Sequence, residues 1–114
     1  MAKKADLKNK QISSEDLRIV KLYLDKLAVS GIPVEQAYLF GSRAKGTAHK
    51  WSDLDLCVIS SSFGQDRFEE RLKLMNLRED ASEMIEPHPN TTEDFQNRFD
   101  PLATQIKLTG IRVV

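Results

Sequence analysis

The chain has 114 residues, with 17 Lys plus Arg balanced by 17 Asp plus Glu and a single cysteine. That length builds one modest core rather than two, and a formal net charge of zero argues against bulk electrostatic binding to nucleic acid or anionic membranes. The lone Cys57 excludes an internal disulfide framework, no apolar run is long enough to span a bilayer, and no leader-like h-region follows the charged N-terminus, so the expectation is a cytoplasmic protein.

Residues 1–12 are Lys-rich and read as a polar tail, leaving 13–114 as a single domain. Ser13 or Ser14 can cap a helix whose first turn carries Glu15 and Asp16, where the dipole favours acids. Leu17, Val20, Leu24 and Leu27 recur at helical spacing, and Gly31 followed by Pro33 stops the helix, predicting a span of 14–30. Ala37 to Phe40 reads as a short strand ended by Gly41. Ser42 to Lys45 opens a short helix, and Gly46 to Trp51 is a loop. Asp53 to Ser60 reads as a central strand with acids at its start, and Ser60 to Gly64 as a turn. Asp66 to Ala81 predicts a long helix with Phe68, Leu72 and Met75 as its apolar stripe. Glu83 to Glu86 is a strand candidate closed by Pro87 and Pro89. Thr91 or Thr92 caps a short helix through Arg98, and Asp100-Pro101 starts another that Gly110 ends. Ile111 to Val114 is a tail or an edge strand. This order predicts an α/β (α+β) domain in which a small mixed sheet carries packed helices.

The chemistry concentrates in Gly41-Ser42, ten intervening residues, and Asp53-Leu54-Asp55. Gly41 lacks a Cβ, so backbone can approach a ligand closely there, and a helix starting at Ser42 turns free N–H groups toward any bound phosphate. Taken alone, Gly-Ser is also a common turn. Asp53 and Asp55 share a strand face, and two adjacent carboxylates repel unless a cation lies between them. Mg²⁺ takes such oxygen ligands and keeps its other sites for water and phosphate. The plainer reading is two solvated acids before an edge strand. Glu86, on the next strand candidate, is the choice for a third acid that shares metal or draws a proton from an acceptor hydroxyl; Glu83, of opposite parity, and Asp80 compete with it. His88 shares Glu86's parity and either faces the cleft or lies in a surface loop. Arg43 and Lys45 can neutralise triphosphate charge, or Arg43 can hold the loop by pairing with a carboxylate. Trp51, beside His49 and Lys50, reads as a loop anchor. Cys57 reads as a buried small apolar residue.

The string Phe40-Gly-Ser-Arg-Ala-Lys-Gly-Thr-Ala48, followed by Ser52-Asp-Leu-Asp-Leu56, resembles the signature of the DNA polymerase beta-like nucleotidyltransferase superfamily, and closely its minimal nucleotidyltransferase branch. Ile85-Glu86-Pro87-His88-Pro89, Glu93-Asp94-Phe95 and Gly110-Ile111 also look like that branch, so the likeness covers about residues 15–112. The resemblance implies the polymerase beta-like fold, two Mg²⁺ ions and ATP as donor. Gly41 and Ser42 would bind the β- and γ-phosphates, with Arg43 and Lys45 beside them, and Asp53 and Asp55 would bind the metals. Family members often carry aspartate as the third acid; Glu86 here is one methylene longer. Minimal members are often encoded beside a HEPN-domain protein and resemble antitoxins that add AMP to a tyrosine of that toxin. Two other readings remain open: adenylylation of a small molecule, as in the aminoglycoside nucleotidyltransferases, and a non-catalytic antitoxin that acts by binding alone.

About thirty residues follow the acidic strands, too few for a separate base-binding domain. The isolated chain is therefore expected to bind ATP weakly. Titration calorimetry giving a sub-micromolar Kd without a partner would contradict this.

Overall fold

A computed structural model describes residues 3–4, 12–45 and 53–114, with the backbone alone for Lys3, Lys4, Ser42 and Lys45. Strand β1 is Lys3–Lys4 and helix α1 is Ser14–Val29. Strand β2 (Gln36–Phe40) leads into the four-residue helix α2 (Ser42–Lys45), and β3 spans Leu54–Ile59. Helix α3 (Arg67–Asn76) and a 3-10 turn at Asp80–Ser82 precede β4 (Ile85–Asn90). Helices α4 (Thr92–Gln96) and α5 (Pro101–Thr109) and strand β5 (Ile111–Arg112) complete the fold. The sheet order is β1-β5-β2-β3-β4. β3 runs antiparallel to β2 and parallel to β4, and β5 runs antiparallel to β2 and parallel to β1. The mixed sheet with packed helices is the architecture that the element order predicts. Among the described residues no helix is long and apolar enough to cross a membrane.

Strand alternation divides the core between the two sheet faces. Leu54, Leu56 and Val58 of β3 join Leu39, Ile85 and Ile111 against Val20, Tyr23, Leu24 and Leu27 of α1 and Leu74 of α3. Cys57 and Ile59 face the other way, with Tyr38 and Phe40, beneath Phe95 of α4 and Ala103 and Ile106 of α5. Helix α1 starts as its sequence dictates. The Asp16 amide donates to Ser13 Oγ at 3.0 Å and the Ser13 amide to Asp16 Oδ2 at 3.1 Å, a reciprocal cap built with aspartate. Asp100 caps α5, accepting from the amide of Leu102 at 3.0 Å, with Pro101 in the first turn.

Three expectations change. Lys3–Lys4 pair with β5 and Ile12 is buried, so parts of the expected polar tail belong to the fold; residues 5–11 lie outside those described. Helix α3 stops at Asn76, and its expected stripe faces solvent: Phe68 is 69% exposed and Leu72 37%, whereas Leu74 is fully buried. Of α3 only Leu74 is buried; Arg67 and Arg71, whose side chains are 42% exposed, and Arg78, which follows the helix, reach toward β4. Arg78 Nη1 donates to the carbonyl of Ile85 at 2.9 Å and Arg67 Nη1 to that of Pro89 at 3.0 Å. Arginines that look solvent-facing in sequence thus reach carbonyls of β4 while staying partly exposed.

The third change is that β4 runs through both prolines instead of ending before Pro87. The carbonyls of Met84 and Asn90 accept from the amides of Leu54 and Ser60, so even-numbered residues turn their backbone toward β3. Pro87 and Pro89 are odd, and their missing N–H groups fall on the outer side, where no ladder bond is lost.

Leu74→Ala should cost about 2–5 kcal/mol of stability, and Phe68→Ala no more than about 0.5 kcal/mol. Urea denaturation of the two variants checks the reversal of the helix face.

Candidate active site

The register of the central strands assembles the site. Asp55 on β3 pairs with Phe40 of β2 on one side and with Glu86 of β4 on the other. In-register residues share a face, so Asp55, Glu86 and His88 lie on the face that carries Cys57 and Ile59 further along. That face is apolar beneath α4 and α5 and acidic at its open end. The side chains of Asp55 and His88 are 28% and 25% exposed. Asp53 sits exposed immediately before β3. The amide of Leu54, which follows it, donates to the carbonyl of Met84 at 2.9 Å and so fixes where the strand begins.

Gly41 ends β2 with φ +81°, the left-handed region that favours glycine. A Cβ there would lie 3.2 Å from Asp55 Cγ and closer still to Oδ2. The Asp55 carboxylate therefore packs directly on the Gly41 backbone. Helix α2 begins at the next residue, and its first N–H groups have no partner within so short a helix. Arg43 Nη1 meets Asp16 Oδ2 at 2.6 Å, with both side chains largely buried. The same oxygen accepts from the amide of Ser13, so the cap of α1 also anchors α2.

Glu86 Oε1 is 2.5 Å from Arg71 Nη2 of α3, and Asp55 Oδ1 is 3.2 Å from His88 Nε2. Among the described residues no three His, Cys, Asp or Glu side chains converge as a ready-made metal cage. Gly41, Asp55, Glu86 and His88 are thus brought together at one end of the sheet, with Asp53 at the start of β3, while Glu86 turns to the arginine of α3. Arg43 takes the carboxylate-pairing role left open by the sequence. Glu83 and Asp80 are exposed and precede β4 rather than lying on it. The side chains of Ser42 and Lys45, and all of His49, Lys50 and Trp51, lie outside the described residues.

Sequence reasoning missed Arg71 and Asp16. Arg71 lies three residues before the buried Leu74, and Asp16 stands at the third position after the cap, so each carried a positional signal. Cys57 is fully buried. Burial first, then the charge of Asp100, pushes its thiol up to about 12, which excludes a thiolate nucleophile at neutral pH.

Gly31→Ala and Gly41→Ala separate backbone strain from the contact with Asp55. Both glycines have positive φ, but a Cβ at Gly31 meets nothing within 4 Å. Each should lose about 1–2 kcal/mol from the left-handed backbone. Gly41→Ala should lose more than Gly31→Ala in urea denaturation, because the Asp55 carboxylate must also move.

The family described as the nucleotidyltransferase domain matches residues 17–111. The chain is 38% identical over 91 residues to the "Probable protein adenylyltransferase MntA" of Haemophilus influenzae, covering 75% of this chain and 73% of that one. Its fold is similar to a crystal structure of a nucleotidyltransferase from Sulfolobus solfataricus, with a TM-score of 0.57, 20% identity and 68% of each chain covered. It is also similar to a toxin–antitoxin structure with AMP-PNP, at a TM-score of 0.54 and 24% identity, over 82% of this chain and 72% of that one. A third similar structure is the toxin–antitoxin MntA–HpeT, in a mutant with two aspartates two residues apart changed to glutamate (TM-score 0.54, 19% identity, 84% and 72% covered). The chain belongs to the nucleotidyltransferase-domain family.

Proposed function

We propose that this nucleotidyltransferase moves AMP from ATP to a hydroxyl of a partner protein and acts in this way as the antitoxin of a toxin–antitoxin pair. The observation that carries the reading is the packing of Asp55 on Gly41, which puts a carboxylate against the turn that receives the triphosphate. Likeness to MntA supports protein adenylylation, and the AMP-PNP structure supports an adenine nucleotide as donor. The acceptor on this reading is a tyrosine of a HEPN-domain toxin, as the minimal branch implies.

The donor set fits Mg²⁺, which is commonly held by one or two carboxylates together with substrate phosphates rather than by an all-protein cage. Asp53 and Asp55 supply those carboxylates. Two ions held there would neutralise triphosphate charge and lower the barrier to attack by the acceptor oxygen. The chain's own residues do the rest. Gly41 allows the triphosphate to approach the backbone, and the α2 N–H groups, with Ser42 and Lys45, receive its β- and γ-phosphates. Arg43, held by Asp16, fixes the loop. The acceptor oxygen bonds to the α-phosphorus as the bond to the bridging oxygen breaks. Pyrophosphate leaves, and Glu86, held by Arg71, takes the hydroxyl proton. Positioning supplies most of the acceleration for such a transfer.

The Arg71–Glu86 pair favours a second reading, a non-catalytic antitoxin, because it draws the third acid away from the aspartates. Intact-mass spectrometry decides between them. The full chain, its neighbouring gene product, Mg²⁺ and ATP are incubated together, and Asp53→Asn and Asp55→Asn variants are run beside the wild type. One or more AMP units should appear on the partner and fall at least about 100-fold in each variant, a loss of more than 2.7 kcal/mol in transition-state stabilisation. A complex that forms and neutralises the toxin with no mass shift would establish the binding reading instead.

A further inference from the structure

The Pro87-His88-Pro89 run has no role in the reaction as described, yet it is the most constrained stretch of β4. Each proline fixes its own φ, and a residue preceding proline is driven to extended backbone. His88 is therefore held in strand conformation from both sides. Both prolines are buried on the α1 face, which turns His88 to the opposite, acidic face. There its Nε2 lies 3.2 Å from Asp55 Oδ1, and its ring meets that of the buried Phe40 edge-on, with centroids 5.0 Å apart and planes at 64°.

An ionised carboxylate only accepts hydrogen bonds, so Nε2 must carry the proton in this contact. His88 is then a donor to Asp55, and Nε2 is not available as a base for the acceptor hydroxyl. The Asp55 carboxylate is bounded by Gly41 on one side and by the His88 N–H on the other. Phe40 links the two, because it precedes Gly41 in the chain and holds the His88 ring.

We propose that His88 is a positioning residue: it fixes the carboxylate plane of Asp55 so that the lone pairs it leaves free converge with Asp53 on a divalent cation. The inference rests on the reading of Asp53 and Asp55 as the cation site. It assigns the prolines a purpose as well, since a donor on a freely rotating loop would hold the carboxylate less well.

The test is equilibrium Mn²⁺ binding to the full chain, followed by electron paramagnetic resonance in the presence of a non-hydrolysable ATP analogue. Thermal melts are run in parallel. His88→Phe keeps a ring against Phe40 and removes the donor; His88→Ala removes both; His88→Gln restores an N–H. His88→Phe and His88→Ala should weaken Mn²⁺ binding about 10-fold or more, the usual consequence of losing a group that orients a metal ligand. His88→Gln should recover most of that loss, whatever the melting temperatures do. A merely structural histidine would move the melts and leave Mn²⁺ affinity unchanged in the folded variants, which would overturn the proposal. If Asp55→Asn binds Mn²⁺ like the wild type, or the wild type binds none, the cation-site reading itself fails and His88's role falls with it.

Discussion

The backbone of Gly41 and the carboxylate of Asp55 occupy places that a single β-carbon would make incompatible. This contact joins the end of β2 to the start of β3, two strands that run in opposite directions. The ten residues between Ser42 and Asp53 are the chain's return from one to the other. The close approach needs glycine twice over, once for φ and once for space.

The rest of the site follows from β3 being central. Its even positions carry the larger core, against α1 and α3, and its odd positions first carry Asp55 and then disappear beneath α4 and α5. One strand thus carries both the core and the candidate site, and a register slip by one residue would exchange the two faces. The neighbours hold these acids separately: Asp55 by His88, Glu86 by Arg71, and Asp16 by the cap of α1 and Arg43.

Features governed by local rules were legible in the sequence. The Ser13 cap, the Asp100-Pro101 start, the turn glycines and the alternation of β3 need only near neighbours, and the structure contains them all. Features decided by distant partners were not. The stripe of Phe68, Leu72 and Met75 has a valid helical period, but the residue α3 buries is Leu74, which joins the core formed by α1 and the sheet. Pro87 read as a strand terminator because its lost N–H could not be assigned to a side until the pairing with β3 was known. Glu86 was chosen for its place on the next strand candidate; the register sets it beside Asp55, and nothing local could show Arg71 there. His88 shared the parity of Glu86, and its contact with Asp55 depends on a register that no local pattern specifies.

The position of β4 at the margin of the sheet has a consequence for how another protein can engage this one. Augmentation by an added strand needs unpaired N–H and C=O groups in a row. Along β4 the donors at Pro87 and Pro89 do not exist, and the carbonyls of Ile85 and Pro89 are already taken by arginines. That margin is closed to intermolecular ladder formation, whether by a partner's strand or by a second copy in an aggregating dimer. Recognition on this side must therefore be made by side chains.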